Sequence, residues 1–317
     1  MTRRSFIASP TLLSAAAGSK NAPITRVDVF LANYPVAGYF KFFSGGKRHT
    51  VFVRITLEDG REGWGQSVPI PTWSYETPES VSITITRYLR PVLVGRDPVD
   101  IEGAHRAMNR AIAPSFSTGM PIAKAGIDLA LHDLAGKLAG KSLHELWGRK
   151  PLSEVVLSWT VNTTELADVE RLVAEGRARG YRHVNIKVAP DPKFDVQMAK
   201  IVRKHMPDES FLWADANGGY DTATALEAAP KLRDAGVDVL EQPVAHNRLS
   251  GFLALKKQGA LPVILDENVV SSLDLEEFLK LGILDGVAMK PARTAGLFEA
   301  RKQVEMLEVR KLMFLGS

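Results

Sequence analysis

Residues 211–220 read FLWADANGGY, a short apolar run that ends on an aspartate before a glycine-rich turn. The same pattern recurs in VDVLEQP, residues 237–243, and in PVILDEN, residues 262–268. Apolar runs of this length, bounded by turn residues, are typical of buried strands. We therefore predict three successive strands, each with an acidic residue at its carboxyl end. These acidic residues are Asp215, Glu241 and Asp266.

The three runs belong to a longer series in which strand-like and helix-like segments alternate. The strand-like segments are Val155–Val161, His183–Val188, Phe211–Asp215, Val237–Glu241, Val263–Asp266, Gly286–Lys290 and Lys311–Leu315. The stretches between them, such as Leu166–Arg179, carry apolar residues at helical spacing. Strict alternation predicts a parallel sheet, and seven units in a row favour a closed (β/α) barrel.

A parallel barrel of this class closes with eight strands, whereas only two residues follow the seventh strand-like segment. We therefore expect an α/β fold with a TIM-type barrel over residues 151–317, truncated after the seventh strand. The first and seventh strands would then present unpaired edges.

Residues 21–150 show a different order of strand and helix patterns. Strand patterns around Ile24–Phe30 and Val51–Leu57 precede helical periodicity at Glu79–Leu89, Pro98–Ala111 and Pro121–Ala139. Two irregular segments, residues 33–48 and 66–75, separate these elements. We predict an N-terminal α+β domain over residues 21–150.

Composition limits the class of protein. Hydrophobic residues make up 45% of the 317 residues and charged residues 24%, as in globular proteins, and no apolar run is long enough to span a membrane. The absence of cysteine excludes disulfides, a thiolate nucleophile and a Cys-ligated zinc site. The net charge is +4, and Arg3, Arg4 and Lys20 supply three of these charges with no acid among residues 1–20. The remainder is too nearly neutral to indicate nucleic-acid binding.

Residues 1–20 resemble a twin-arginine export signal. Arg3 and Arg4 precede a modest apolar segment and the small residues Ala15–Ala17. We expect export to the periplasm, with these residues outside the fold; the alternative is a disordered tail on a cytoplasmic protein.

Catalytic groups in (β/α) barrels lie where strands end, and two of these strand ends carry lysines, Lys187 and Lys290. Side chains alternate along a strand, so Val184, Ile186 and Val188 should face the helices and turn Lys187 inward with Asn185. By the same alternation, Lys290 faces inward, and Phe211 and Trp213 share a face with Asp215.

Three inward carboxylates on consecutive strands repel one another unless a cation lies among them. Asp215, Glu241 and Asp266 would suit Mg²⁺, with Mn²⁺ as the alternative ion. Lysines on two sides of such a site indicate proton transfer next to a carboxylate, because a divalent ion stabilises the enediolate that forms. The structural alternatives are carboxylates at exposed loop starts and lysines that only form ion pairs.

At these residues the chain closely resembles the enolase superfamily, and within it the muconate lactonizing enzyme subgroup. The resemblance rests on the order and strand placement of several motifs: Ala214–Tyr220, Leu240–Pro243, Leu265–Asn268 and Met289–Leu297. Ala125–Lys137 is similar to the helix that joins that family's capping domain to its barrel.

The resemblance implies a modified (β/α)₇β barrel with an α+β cap over its mouth. It implies Mg²⁺ on Asp215, Glu241 and Asp266, and Lys187 and Lys290 as an acid/base pair. Further residues near the substrate or the ligands would be Asn185, Asn217, Glu267, Tyr39 and Trp73. The cap loops fall on residues 33–48 and 66–75, and residues 66–77 are similar to the corresponding stretch of dipeptide epimerases. Tyr39 and Trp73 fit cap–barrel packing equally well.

One residue departs from the family pattern. The family's second strand reads Lys-x-Lys, whereas this chain has Asn185-Ile186-Lys187. A first lysine would lower the pKa of the second by like-charge repulsion, so Lys187 lacks that help in acting as a base.

Several functions fit these residues. Two opposed lysines favour a racemase or epimerase that acts on an N-acylamino acid or a dipeptide. A muconate-type cycloisomerase or a syn-dehydratase of the same subgroup is the alternative, and a non-catalytic or decayed carboxylate-binding barrel belongs to another class. The expected partner is a small carboxylate; the sequence leaves open whether the chain forms a homo-oligomer.

Overall fold

A computed structural model describes residues 21–36, 46–114 and 117–316. The first part is a three-stranded antiparallel sheet followed by helices. Its strands are β1 (Ile24–Pro35), β2 (Lys47–Leu57) and β3 (Glu62–Ser67). Its helices are α1 (Pro78–Thr84), which continues through the π-helical turn Ile85–Leu89 into α2 (Arg90–Leu93), then α3 (Ile101–Ala111), α4 (Pro121–Ala139) and α5 (Leu143–Leu146).

The second part is a seven-stranded parallel sheet in chain order, with a helix after each strand except the last. Its strands are β4 (Ser158–Val161), β5 (His183–Lys187), β6 (Leu212–Asp215), β7 (Val239–Glu241), β8 (Val263–Leu265), β9 (Gly286–Met289) and β10 (Met313–Gly316). Its helices are α6 (Leu166–Ala178), α7 (Pro192–His205), α8 (Thr222–Asp234), α9 (Leu249–Gln258), α10 (Ser272–Leu281) and α11 (Leu297–Arg310). The predicted α/β class, with a curved parallel sheet of seven strands, is confirmed.

Two boundaries differ from the prediction. Residues 155–157 were predicted to open the first barrel strand, but they are irregular and Val155 and Val156 are exposed, so β4 begins at Ser158. Apolar side chains alone gave a false strand signal there because no partner strand covers them. The first irregular segment is also shorter than predicted, since β1 and β2 pair as far as Pro35 and Lys47.

Alternation along the barrel strands is as predicted. Val184, Ile186 and Val188 belong to the large core between the sheet and its helices. A separate, smaller cluster fills the inside of the curved sheet, formed by Val239, Ile264 and Ala288 with partly buried neighbours. These neighbours are Phe211, Trp213, Met313 and Leu315. Residues Asn185 and Lys187 are thereby left on the inner face.

Helix α4 packs so closely on β3 that β3 needs glycine. A Cβ on Gly63 would lie 2.3 Å from the Ala130 carbonyl oxygen, and one on Gly65 would lie 2.0 Å from that of Gly126. Helix α4 is buried over most of its length. Among the described residues, none of the helices combines the length and the hydropathy that a membrane span requires.

Asp128 of α4 joins the N-terminal part to the barrel. Its fully buried carboxylate accepts a hydrogen bond from the backbone N–H of Leu297, the first residue of α11, at 2.5 Å. Its oxygens also lie 2.7 Å from His105 Nε2 and 3.1 Å from His132 Nδ1. A Cβ on Gly296 would lie 2.2 Å from Asp128 Oδ2, so glycine is required before α11. A carboxylate at a helix N-terminus is stabilised by the unpaired N–H groups there.

Removing the Asp128 carboxylate should destabilise the whole chain. Asp128→Ala leaves buried imidazoles and backbone N–H groups without their acceptor, and we expect the free energy of unfolding to fall by about 3–5 kcal/mol. Urea unfolding followed by circular dichroism measures the change. Asp234→Ala, at an exposed ion pair, should change it by less than about 0.5 kcal/mol. Equal effects of the two substitutions would contradict the assigned role.

The same contact should make stability depend on pH. Burial disfavours the charged imidazole of His132, but the hydrogen bonds to Asp128 and the negative charge of Asp128 together outweigh burial and raise the His132 pKa above 6.5. A raised pKa means stabilisation that is complete below pH 6.5 and is lost as pH rises through the folded-state pKa. We expect the stability difference between the native chain and His132→Gln to shrink across that rise in pH. A difference that grows with pH would contradict this.

Candidate functional site

Three buried carboxylates lie side by side at the carboxyl ends of neighbouring strands. Asp215 ends β6, Glu241 ends β7, and Asp266 directly follows β8. Asp215 and Glu241 are partners across the sheet, and all three residues are at most 4% exposed. The structure therefore places the three predicted ligands at the ends of three neighbouring strands.

The two predicted lysines lie at opposite ends of this carboxylate row. Lys187 pairs across the sheet with Asp215, and its Nζ forms an ion pair with that carboxylate. Lys290 follows β9, and its Nζ lies 2.5 Å from Asp266 Oδ2. The buried guanidinium of Arg293 contacts the other oxygen of Asp266. The row is thus flanked by cations on both sides.

Glu241, in the middle of the row, has no ion-pair partner among the residues that the structure describes. Among the described residues no side chain hydrogen-bonds or forms an ion pair with its carboxylate. Burial, together with the charges of Asp215 and Asp266, raises the pKa of Glu241 well above its usual range. Asp266 behaves in the opposite way: burial opposes its ionisation, but Lys290 and Arg293 lower its pKa.

Lys187 keeps its proton more firmly than an ordinary lysine. Burial disfavours its charged form, but the negative charges of Asp215, Glu241 and Asp266 together raise its pKa. No second lysine lies two residues earlier on β5 to oppose this effect, because that position is Asn185.

A chain of hydrogen bonds joins the site to the N-terminal part. Trp73 Nε1 donates to Glu267 Oε1 at 2.7 Å, and Asn217 Nδ2 donates to the same oxygen at 3.1 Å. Asn217 Nδ2 also lies 3.0 Å from Asp215 Oδ2. Burial and the neighbouring Asp266 charge raise the pKa of Glu267 to about 7.

Trp73 also covers two cations. Its ring centroid lies 4.4 Å from Arg293 Cζ and 5.3 Å from Lys290 Nζ, distances at which a cation is attracted to the face of an indole. Trp73 therefore both packs the cap against the barrel and lines the site. The segment that carries it is tied down by Glu76, which accepts hydrogen bonds from the Ile122 and Ala123 N–H groups at the start of α4.

The donor set fits a hard divalent cation, although the resting arrangement is not a ready-made coordination shell. Within residues 21–36, 46–114 and 117–316, no three His, Asp or Glu side chains form a group that could hold a metal ion. Lys187, Lys290 and Arg293 take oxygens of Asp215 and Asp266 instead. Counting Glu267, four carboxylates face three cations, so the group has a net charge of −1 when all four carboxylates are ionised. Oxygen ligands of this kind suit Mg²⁺.

A cavity of about 370 Å³ opens at these strand ends. Of the predicted residues, Asn185, Asn217 and Trp73 line it with both lysines, Asp215 and Glu241. Asp266 is not among its described lining residues and pairs with Lys290 and Arg293. Tyr39 lies outside the described residues. Polar side chains that the sequence did not single out complete the wall: Arg48, Ser158, Thr160 and Asn162.

Arg293 was also missed as a site residue, although its position three residues after Lys290 in a loop that follows a strand could have indicated it. Trp213 lines the cavity as well, in agreement with the inward face that alternation predicts.

Glu241→Gln should stabilise the metal-free protein, because it removes a buried charge that lies between two like charges. We expect a gain in the free energy of unfolding, because the amide carries no charge to be desolvated or repelled by Asp215 and Asp266. The pKa of Glu241 is raised on folding, so this gain should grow as pH rises above 4.5. Thermal unfolding in EDTA measures it.

Asp215→Asn should act in the opposite direction, because it leaves the Lys187 ammonium without its partner. In MgCl₂ the native chain should gain stability and Glu241→Gln should not. Loss of stability of Glu241→Gln in EDTA would contradict the charge account.

Two family models match the chain. "Mandelate racemase / muconate lactonizing enzyme, N-terminal domain" matches residues 26–148, and "Enolase C-terminal domain-like" matches residues 168–315. The chloromuconate cycloisomerase CbnB of Cupriavidus necator is 29% identical over 275 residues, 86% of this chain and 73% of that protein. The N-succinyl-L-Arg/Lys racemase of Bacillus cereus is 27% identical over 292 residues, 90% of this chain and 77% of that protein.

The fold has close counterparts among solved structures. The dipeptide epimerase of Cytophaga hutchinsonii superposes with a TM-score of 0.86 at 24% identity, over 93% of this chain and 79% of that one. Both domain matches, their order and this superposition agree with the motifs at the strand ends. The chain is therefore an isomerase of the enolase superfamily and belongs to its mandelate racemase and muconate lactonizing enzyme family.

Proposed function

We propose that this isomerase removes and returns the proton next to a substrate carboxylate, in a Mg²⁺-dependent reaction, as a racemase or epimerase of an N-acylamino acid or a dipeptide. One observation carries the proposal: Lys187 and Lys290 lie at opposite ends of one carboxylate row and line one cavity. Exchange of a proton between the two faces of a carbon requires one group on each side.

The charges of the site assign roles to its residues. Asp215, Glu241 and Asp266 would hold the divalent ion, which when bound supplies positive charge where a substrate carboxylate gains negative charge. Asp215 and Asp266 hold the two amines, one at each end of the row. Because its pKa is raised, Lys187 is suited to deliver a proton. A divalent ion held by the three carboxylates would reduce the negative field around Lys187 and would make it a better base.

Trp73 limits access of water to the site. Its ring covers the charged ends of Lys290 and Arg293, and its indole N–H is bonded to Glu267. Exclusion of water strengthens the interactions among these charges and protects a carbanionic intermediate from stray protonation.

A muconate-type cycloisomerase is the second candidate, and the unequal surroundings of the lysines favour it. Lys290 lies between Asp266 and the Trp73 ring, next to Arg293, whereas Asp215 is the one ion-pair partner of Lys187 within the described part of the chain. Such inequality suits a reaction in which one lysine transfers a proton and the other stabilises charge. The similarity to a chloromuconate cycloisomerase agrees with this candidate.

Lysine variants incubated in D₂O with MgCl₂ separate the two functions. A panel of N-acylamino acids, dipeptides and cis,cis-muconate is followed by proton NMR. For a racemase, the native chain exchanges the α-proton of both enantiomers, while Lys187→Met and Lys290→Met each exchange only one. Racemisation should fall by about a hundredfold or more in either variant, the usual contribution of a positioned acid or base.

Lys256→Met is the matched control, because Lys256 also forms an ion pair with an aspartate but does not line the cavity. It should behave like the native chain. Conversion of muconate without exchange into recovered amino-acid substrates would support the cycloisomerase instead. Absence of exchange or conversion with every compound, despite stabilisation by MgCl₂, would favour the non-catalytic carboxylate-binding barrel.

A further inference from the structure

Two buried charged groups beside the carboxylate row each have one atom without a hydrogen-bond partner. These atoms are Nη2 of Arg293 and Oε2 of Glu267, and neither bonds to any residue that the structure describes. Arg293 is 6% exposed, so its guanidinium has little access to water. One atom is a donor on a cation and the other is an acceptor on an anion. Native proteins rarely leave such atoms unmatched, because hydrogen bonds between charged groups are strong.

The same two groups contact one tryptophan. Arg293 Cζ lies 4.4 Å from the Trp73 ring centroid, and Trp73 Nε1 donates to the other oxygen of Glu267, Oε1, at 2.7 Å. Burial raises the pKa of Glu267, and the positive charge of Arg293 opposes that rise, so the two charges already interact. The guanidinium therefore lies near Glu267, although no hydrogen bond between these two described residues joins them.

Arg293 is bonded instead to Asp266, the residue before Glu267. Its Nη1 contacts Asp266 Oδ1, and Lys290 Nζ lies 2.5 Å from Oδ2, so both oxygens of this carboxylate face a cation. A divalent ion on Asp266 would need one of these oxygens and would repel the cation that holds it. Arg293 has a second buried carboxylate beside it with an unused oxygen, and it can therefore give way.

We infer that Arg293 is a movable counter-ion, which neutralises Asp266 until that carboxylate ligates a divalent cation and then transfers its hydrogen bond to Glu267 Oε2. The inference rests on the proposed function, because it concerns the ion that this function requires. Arginine suits the role, since its planar fork presents several N–H groups to neighbouring carboxylates. A shift of about 1.5 Å would keep the guanidinium within about 6 Å of the Trp73 ring, the range of cation–π attraction.

The transfer gives Arg293 a carboxylate partner both before and after the ion binds. A buried guanidinium that lost Asp266 without gaining another acceptor would be strongly unfavourable, and its cost would weaken binding of the ion. Glu267 removes that cost as the second acceptor and not as a ligand. The contribution of Glu267 to ion affinity should therefore depend on Arg293.

Manganese binding to the full chain tests this dependence without requiring turnover. MnCl₂ is titrated into the native chain, Glu267→Gln, Arg293→Met and the double variant, and free Mn²⁺ is measured by electron paramagnetic resonance. Glu267→Gln should weaken binding about tenfold in the native chain, the value of one hydrogen bond to a charged group. In the Arg293→Met background the same change should alter affinity by less than about twofold, because no guanidinium needs an acceptor there.

Asp285→Asn is the matched control for loss of one acidic charge. Asp285 also forms an ion pair, with Lys256, but it lies directly before β9, at the opposite end of that strand from the site. The control should bind Mn²⁺ like the native chain.

Crystals of the native chain grown with and without MnCl₂ show the transfer directly, and they decide the question if Arg293→Met fails to fold. Without the ion, Arg293 should contact Asp266. With Mn²⁺ located by its anomalous scattering, Arg293 should donate to Glu267 Oε2 and no longer to Asp266.

The outcomes separate the counter-ion from the proposed reaction. A guanidinium that stays on Asp266 beside bound Mn²⁺, or leaves it without reaching Glu267, overturns the inference and leaves the proposed reaction standing. An equal loss of affinity from Glu267→Gln in both backgrounds also overturns it, because Glu267 would then act on the ion directly. A transferred guanidinium in a chain that exchanges no α-proton upholds the inference and counts against the proposed proton transfer. A chain that binds no Mn²⁺ overturns both.

Discussion

The balance of charge among buried carboxylates is the constraint on which the site depends. Four acidic side chains lie at the ends of β6, β7 and β8, and three cations face them, so Glu241 remains uncompensated. Burying such a cluster is expensive unless each charge has a partner. The high cost explains why the lysines, Arg293 and Trp73 are packed tightly around it, and why a divalent cation suits the remaining charge.

The parallel sheet makes this concentration of charge possible. Strands that run in one direction bring all their carboxyl ends to one rim, and alternation sends every second side chain inward. The apolar residues of β5 hold the sheet to its helices, while Lys187 and Asn185 on the same strand face the cavity. The residues that stabilise the fold and the residues that line the site therefore lie on opposite faces of the same strand.

Much of the barrel and of the site could be predicted from the sequence, because apolar runs and the alternation of side chains are both local patterns. The acidic ends of three successive strands and the two lysines follow from apolar runs and a period of two, and the structure places these residues at neighbouring strand ends. Contacts between distant segments were not predictable in the same way. Arg293 shares Asp266 with Lys290, and Trp73 reaches Glu267 across 194 positions of sequence. Neither contact produces a periodic pattern in the sequence. The exposed segment at Val155 shows that apolar residues alone can wrongly predict a strand.

The buried carboxylate of Asp128 has a mechanical consequence. It binds two histidines of the N-terminal part and the first turn of α11 at once, and Gly296 leaves no space between them. Such close packing should prevent a hinge motion, so the two parts are expected to move as one rigid body at α4. Passage of a substrate is then expected to depend on the short segment that carries Trp73, whose indole is bonded to Glu267 and covers Arg293, rather than on separation of the two parts.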